Sequence, residues 1–181
     1  MKKFFVALGL LAVFCAQSHP AAALAQEGIQ YDAEEGAWIA LHHSPDGGVK
    51  TDVCMAGNLV DGVSLRASSK SLEVRFGDKE WNLPPDTKGV VTIKTNNYEH
   101  KFDTVFESST MLGAFIDPED MKSLIAALAQ SSDATISFGG KSPREISLSG
   151  SMTALKEFQN CVEMSGLADL GNTAAPTKTP F

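Results

Sequence analysis

The sequence predicts a mainly β fold (α+β), an antiparallel sheet or sandwich with two packed helices and one disulfide. Three observations lead to it. The middle of the chain has two hairpin patterns, the second half has two stretches of helical periodicity, and residues 26–165 contain two cysteines. This length without an interior linker indicates a single domain over 26–165. Residues 166–181 are small and polar, and we expect a disordered tail there.

The first 25 residues have the features of a cleavable secretory signal peptide. Lys2 and Lys3 precede an apolar run over residues 4–16, and Ala23-Leu24-Ala25 supplies the small side chains that signal peptidase accepts. We therefore expect cleavage between Ala25 and Gln26. The mature protein would then be periplasmic or secreted, in a bacterium.

Two other fates of this segment are open. An uncleaved anchor is disfavoured because the apolar run, about 13 residues, is shorter than the roughly 20 needed to span a bilayer. Lipoprotein processing at Cys15 is disfavoured because it requires a small residue before the cysteine, where this chain has Phe14. No later segment approaches spanning length, so we expect no membrane span in the mature chain.

The mature chain is expected to be acidic. The leader holds two of the 15 basic residues and none of the 22 acidic ones, which leaves a net charge of −9 for residues 26–181 with histidine neutral. This charge repels phosphate backbones and anionic headgroups, so nucleic acid is not an expected partner. Its simplest consequence is solubility.

Cys54 and Cys161 are the cysteines of the mature chain. In an oxidising compartment a single pair usually forms a disulfide, and we predict this one. The alternatives are two buried free thiols, or a metal site that lacks half of its ligands. The disulfide would join the front of the domain to its last helix.

Two hairpins are predicted with defined registers. The first runs from Ser71 to Phe76, turns at Gly77-Asp78 and returns from Lys79 to Leu83. Its register pairs opposite charges on one face, Arg75 with Glu80. On the other face it pairs apolar residues, Val74 with Trp81 and Leu72 with Leu83.

The second hairpin runs from Val90 to Thr95, turns at Asn96-Asn97 and returns from Tyr98 to Phe102. Asparagine tolerates the positive φ that a two-residue turn requires. The predicted pairs are Lys94 with Glu99, Ile93 with His100, and Val91 with Phe102.

Two helices and several further strands complete the domain. Asp117 and Pro118 begin the first helix, whose apolar stripe is Met121, Leu124, Ile125 and Leu128. Ser151 is expected to cap the second, which runs to about Met164 with Leu155, Phe158, Cys161 and Val162 on its inner face. Shorter patterns predict strands over 36–43, 49–56, 134–138 and 145–149, with one or two more within 105–116 and a loose lead over 26–35.

The histidines are the first candidates for chemistry. His42 and His43 with Asp46 resemble a metal site, but adjacent strand residues point to opposite faces, and transition metals need three or four convergent ligands. A surface histidine beside a turn is the preferred interpretation. His100 shares a predicted hairpin face with apolar residues, so a structural role is preferred there.

The remaining candidates also have structural explanations. The acids at 117, 119 and 120 fit helix capping, and Ser149-Gly150-Ser151 precedes a helix. Gly139-Gly140-Lys141-Ser142 lacks the upstream glycine of a phosphate loop. Trp38 and Trp81 could form a sugar platform, but core packing is preferred. The sequence therefore predicts no catalytic, cofactor-binding or metal residue.

The end of the domain resembles a known group of exported proteins. A strand ending in Ser147-Leu148-Ser149-Gly150 is followed by a short helix with Ala154 and a terminal Cys161. This segment resembles the invasion-associated locus B family and the periplasmic proteins associated with type VI secretion. The resemblance implies an exported bacterial protein of invasion-associated or secretion-accessory type, and it implies no catalytic residue.

We expect an exported, non-enzymatic envelope protein that binds a protein or envelope component through a sheet edge or an uncovered sheet face. The alternatives are a small secreted hydrolase, a hydrolase inhibitor, or a purely structural envelope protein. A hydrolase would need a pocket that joins His42 or His100 to distant acids.

Overall fold

The computed structural model describes residues 28–139 and 143–167, which form ten strands and two helices. The strands in chain order are β1 (Ile29–Glu35), β2 (Trp38–His43), β3 (Val53–Asn58), β4 (Val63–Ser68), β5 (Leu72–Gly77), β6 (Lys88–Lys94), β7 (Glu99–Ser108), β8 (Met111–Phe115), β9 (Asp133–Phe138) and β10 (Arg144–Ser147). The helices are α1 (Pro118–Gln130) and α2 (Ser151–Ser165).

All ten strands belong to one antiparallel sheet, in the order β1-β2-β3-β4-β5-β8-β7-β6-β9-β10. With its two helices and one disulfide, this architecture confirms the predicted fold class. The sheet is strongly curved, and the curvature brings Phe76 of β5 into contact with Phe102 of β7 and Phe138 of β9. The ring centroids are 5.7 and 6.3 Å apart. The curvature encloses one apolar core.

Side-chain hydrogen bonds join the two ends of the sheet. Trp38 Nε1 donates to the carbonyl of Ser147 at 2.9 Å, and Asn58 Nδ2 donates to the same carbonyl at 3.4 Å. Trp38 and Asn58 are cross-strand partners on β2 and β3, whereas Ser147 ends β10. The hydroxyl of Thr153 on α2 also donates to the carboxylate of Glu35 on β1. The junction therefore depends on a few identifiable polar groups.

The hairpin over residues 90–102 forms as predicted. Val91 pairs with Phe102, Ile93 with His100, and Lys94 with Glu99. Val91, Ile93 and Phe102 are buried, so the apolar face of the hairpin faces the core. On the solvent side, Lys94 Nζ lies 3.4 Å from Glu99 Oε2.

The hairpin predicted over residues 71–83 is wrong. β5 pairs with β4 on one side and β8 on the other, so that Val74 lies opposite Leu65 and Ala114. The predicted returning segment precedes Pro84-Pro85 and forms no strand, since proline has no N–H to donate to a ladder. The alternation over Val63–Ser68 supplied a better partner, and the sequence prediction missed it.

The side chains of the rejected hairpin have other partners. Arg75, predicted opposite Glu80, instead makes ion pairs with Glu73 at 2.9 Å and Glu107 at 3.1 Å. Trp81, predicted opposite Val74, packs edge-on against Phe138 with ring centroids 5.0 Å apart. The contact between Trp81 and Phe138 ties the loop after β5 to β9.

The prediction of a loose lead over residues 26–35 is wrong for Ile29–Glu35, which form β1. The segment is polar because it is an edge strand with mostly exposed residues. Backbone pairing with β2 holds it on one side, and α2 packs against it. Composition alone did not reveal these tertiary contacts.

Helix α1 agrees with its sequence prediction. The carboxylate of Asp117 accepts from the backbone N–H of Asp120 at 2.9 Å, Pro118 occupies the first turn, and the predicted apolar stripe is buried. These features satisfy an otherwise unpaired N–H and fix where the helix begins.

Helix α2 begins differently from the prediction. Gly150, with φ of +88°, is its N-cap, and Ser151 is buried within the first turn. The Ser151 hydroxyl donates to the carbonyl of Leu128 in α1 at 2.9 Å. Ser151 therefore joins the two helices and does not cap α2.

Helix α2 lies over the inner face of β1, β2 and β3. Ala40 and Ala56 on the strands leave room for Leu155 and Phe158 of the helix, and all four are buried. The close approach brings Cys54 on β3 within 6.0 Å of Cys161, Cα to Cα, and the two form the predicted disulfide.

The ends of the chain are only partly described. Gly166 ends α2 and Leu167 is buried. The predicted leader with its cleavage site at Ala25 and Gln26, and the predicted tail beyond residue 167, lie outside the described residues and stay predictions. Neither of the two helices that the structure describes is long and apolar enough to cross a membrane.

Candidate functional site

His42 and His43 point to different carboxylates, as their alternation on β2 predicted. His42 Nδ1 lies 2.7 Å from Asp32 Oδ1, and His43 Nδ1 lies 2.6 Å from Asp52 Oδ1. Asp46, the third member of the possible metal set, instead accepts from Ser44 and from two backbone N–H groups of its own turn. Those hydrogen bonds lower the pKa of Asp46 below its ordinary value.

The pairing of His42 with Asp32 depends on an irregularity in β1. Tyr31 pairs with Leu41 and Ala33 pairs with Ala40, which leaves Asp32 as an extra residue in a β-bulge. A bulge redirects the side chain that it carries and is frequent next to functional sites. Here both carboxylate oxygens of Asp32 reach His42 Nδ1, at 2.7 and 3.0 Å.

The His42–Asp32 pair lies beside the disulfide. His42 is the cross-strand partner of Cys54, and one carboxylate oxygen of Asp32, one ring nitrogen of His42 and the sulfur of Cys161 all lie within 4.8 Å of one another. His42 and Asp32 side chains are 20% and 22% exposed, so the pair sits at the rim of the core. In the disulfide form the Cys161 sulfur is not a thiolate and cannot serve as nucleophile or metal ligand.

Sequence reasoning did not find this cluster. The sequence placed Asp32 in a segment expected to be loose, and no spacing relates residue 32 to residue 161. The cluster arises because β1 pairs with β2 while α2 lies across both.

His100 has the structural role that was preferred for it. Its ring stacks on Tyr98, with centroids 6.2 Å apart and planes at 10°, and lies 4.5 Å from the ring of Phe102. Trp38 is buried in the core, and Trp81 packs on Phe138, so the two tryptophans act in packing. Of the Gly139–Ser142 segment, only Gly139 belongs to the described residues.

Tyr98, next to His100, gives a pH-dependent prediction. Its hydroxyl is buried with no hydrogen-bond partner among residues 28–139 and 143–167. Burial, and then the charge of Asp120, raise the pKa of Tyr98 from 10.0 to about 12. The folded protein therefore holds this proton more tightly than the unfolded chain does. The contribution of this tighter binding to the stability of the fold is present below pH 10 and is lost as the pH rises towards about 12.

We expect Tyr98→Phe to raise the free energy of unfolding by up to about 1 kcal/mol at pH 7, because it removes an unpaired buried hydroxyl. The variant should also lose less stability above pH 10 in urea unfolding experiments. Tyr31→Phe is the control, since Tyr31 is 69% exposed. Destabilisation by Tyr98→Phe at pH 7 would show that the hydroxyl has a partner.

A second candidate site lies at the turn between β3 and β4. The side chain of Asn58, fully buried, accepts from the backbone N–H groups of Val60 and Asp61 at 3.1 and 3.0 Å. This Asx turn directs Leu59 and Val60 outward, where they are 61% and 82% exposed.

Leu59 and Val60 line a cavity of about 530 Å³. We call the two side chains and this cavity the Leu59–Val60 surface. The cationic residues that line the cavity are Arg75, Lys79 and Arg144, whereas Asp78 is the one acid among its lining residues in the described part of the chain. Two of these cations are already paired, Arg75 with Glu73 and Glu107, and Arg144 with Asp78.

Arg144 is incompletely satisfied. Its guanidinium lies 5.2 Å from the ring centroid of Phe138, and Nη1 donates to Asp78 at 3.4 Å. Nε and Nη2 are buried with no acceptor among the described residues. Unpaired donors on a charged group are costly, so an acceptor that drew the guanidinium into the cavity would be favoured.

Comparisons with known proteins give one likeness. No family model matches the chain, and no curated protein matches it. The crystal structure of invasion associated protein B from Bartonella henselae is similar in structure, with 15% sequence identity, coverage of 75% of this chain and 98% of that chain, and a TM-score of 0.47. A likeness this low carries no argument about function, and the family resemblance of residues 145–161 stays a prediction.

Proposed function

We propose that the chain is an exported, non-enzymatic bacterial envelope protein that binds another protein through the Leu59–Val60 surface. The proposal rests on the exposure of two large apolar side chains, Leu59 and Val60. They lie beside a cavity, on a turn that the side chain of Asn58 stabilises. Exposed apolar groups beside a concave site are typical of protein-binding surfaces. The expected location, periplasmic or secreted, rests on the features of residues 1–26 and on the disulfide.

The chemistry of the cavity defines the partner. Apolar side chains at its rim favour an apolar anchor, and the unpaired donors of Arg144 favour a nearby carboxylate. We therefore propose a partner segment that presents an aliphatic or aromatic residue next to an aspartate or glutamate. Such a segment would bury Leu59 and Val60 and provide acceptors for Arg144.

The edge strands are less suitable contact surfaces. The outer edge strand β1 carries Asp32, Glu34 and Glu35, and charges on an edge strand discourage the addition of another strand. The opposite edge strand, β10, is only four residues long and ends where Ser147 accepts from Trp38. By contrast, the turn between β3 and β4 presents the exposed apolar side chains of Leu59 and Val60.

The proposal predicts a surface-specific loss of binding. The mature domain should capture one stoichiometric partner from envelope extracts, and Leu59→Ser with Val60→Ser should weaken the dissociation constant for that partner at least about thirtyfold, since two apolar anchors contribute about 2 kcal/mol or more. Binding would be measured by calorimetry with the purified partner.

The control removes two exposed apolar side chains elsewhere. Val49 and Met164 are 87% and 88% exposed and do not line this cavity, so Val49→Ser with Met164→Ser should leave the dissociation constant unchanged. Equal affinity in both double variants, with matching unfolding curves, would exclude the Leu59–Val60 surface. Capture of no partner would favour a purely structural role.

A further inference from the structure

We propose that His42, oriented by Asp32, is a proton donor for the Cys54–Cys161 disulfide, and that this disulfide is a site of thiol–disulfide exchange with an external dithiol. The inference is independent of the Leu59–Val60 surface. It rests on the cluster that the β1 bulge and α2 bring together.

The geometry supplies the parts of such a site. Asp32 holds one ring nitrogen of His42 at 2.7 Å, which leaves Nε2 of the ring for a second partner. The disulfide is available as this second partner, because His42 is the cross-strand partner of Cys54 and one of its ring nitrogens lies within 4.8 Å of the Cys161 sulfur. A carboxylate, an imidazole and a sulfur in this order form the arrangement that controls cysteine reactivity in many proteins.

The two sulfurs differ in their access to solvent. Cys54 is 0% exposed, whereas Cys161 is only partly buried and lies at the rim. An external thiolate can therefore reach Cys161 first, and Cys54 becomes the leaving group. A buried thiolate in apolar surroundings is a poor leaving group unless a proton is supplied as it forms.

The external thiolate forms a bond to Cys161 Sγ, the disulfide breaks, and Cys54 Sγ takes the electron pair together with the proton from His42 Nε2. The second thiol of the dithiol then loses its proton to solvent and attacks the mixed disulfide. The Cys161 thiolate that leaves is protonated, so the dithiol is oxidised and both cysteines end as thiols.

The chain contains its own matched control for this role. His43 and Asp52 form a second pair at 2.6 Å, one residue further along β2 and on the opposite face, away from the disulfide. A substitution there changes charge and hydrogen bonding in the same strand. It does not remove a proton donor next to a sulfur.

The test measures the rate of disulfide reduction by dithiothreitol in the folded protein, followed by alkylation and mass analysis. We expect His42→Gln to slow reduction about tenfold at pH 6, which is less than general acid catalysis usually contributes because water also reaches the rim. Asp32→Asn should slow it less, and His43→Gln and Asp52→Asn should leave it unchanged. The ratio of the wild-type rate to the His42→Gln rate should change with pH.

Two results would overturn the proposal. One is a reduction rate that does not depend on dithiothreitol concentration, because the disulfide would then react only after unfolding. The other is the absence of an effect specific to His42, seen as equal slowing by His42→Gln and His43→Gln or as a wild-type to His42→Gln ratio that does not vary with pH.

Discussion

Replacement of both cysteines, Cys54→Ala with Cys161→Ala, is expected to lower the free energy of unfolding by about 4 to 5 kcal/mol. The disulfide closes a loop with a sequence separation of 107, and cross-links of this span strongly restrict the unfolded chain. Because a domain of this size has only about 5 to 15 kcal/mol of stability, the double variant should be close to unfolding at 37 °C.

The measurement is urea unfolding of the oxidised protein, the reduced protein and the double variant. The reduced protein and the double variant should have similar midpoints, and the reductant should not affect the double variant. Both should also have a steeper dependence on urea, since an uncrosslinked unfolded chain exposes more surface. A loss below about 1 kcal/mol would show that α2 is held to β3 mainly by packing around Phe158.

The second large effect is expected at the start of α2. Gly150 has φ of +88°, and a Cβ there would collide with the carbonyl oxygen of Glu35 at the end of β1. Gly150→Ala should therefore lower the free energy of unfolding by about 3 kcal/mol or more, which combines backbone strain with forced separation of the two ends of the sheet.

The opposite end of the same helix provides the control. Gly166 also has positive φ, +60°, but a Cβ there meets no described atom within 4 Å. Gly166→Ala should cost only the backbone strain, about 1 kcal/mol. Thermal unfolding of the two variants compares them directly, and similar losses would mean that the junction between Glu35 and Gly150 is not tightly packed.

Local patterns were sufficient where the interacting residues are close in sequence. The hairpin over residues 90–102 and helix α1 depend on turn chemistry, alternation and a cap, all contained within about a dozen residues. The hairpin over residues 71–83 had equally good local pairs, yet it was wrong. β5 pairs instead with β4 and β8, one on each side, and Pro84-Pro85 cannot continue a ladder.

The candidate sites required the tertiary structure for the same reason. His42 and Asp32 are ten positions apart, but their pairing needs a bulge whose position no residue pattern marks. The cavity beside Leu59 and Val60 needs Arg75 from β5 and Arg144 from β10, which come together only when the sheet curves. Distances of this kind depend on register and curvature, which composition does not encode.

The sequence alone determined the acidic character, the mainly β class and the pairing of Cys54 with Cys161, because each depends on composition or on short local patterns; the export signal of the leader stays a prediction. The tertiary structure decided the strand order, the role of Ser151 between the helices, and the meeting of His42, Asp32 and Cys161 at one rim. These depend on which distant segments bury surface together, and burial is shared among all elements of the core.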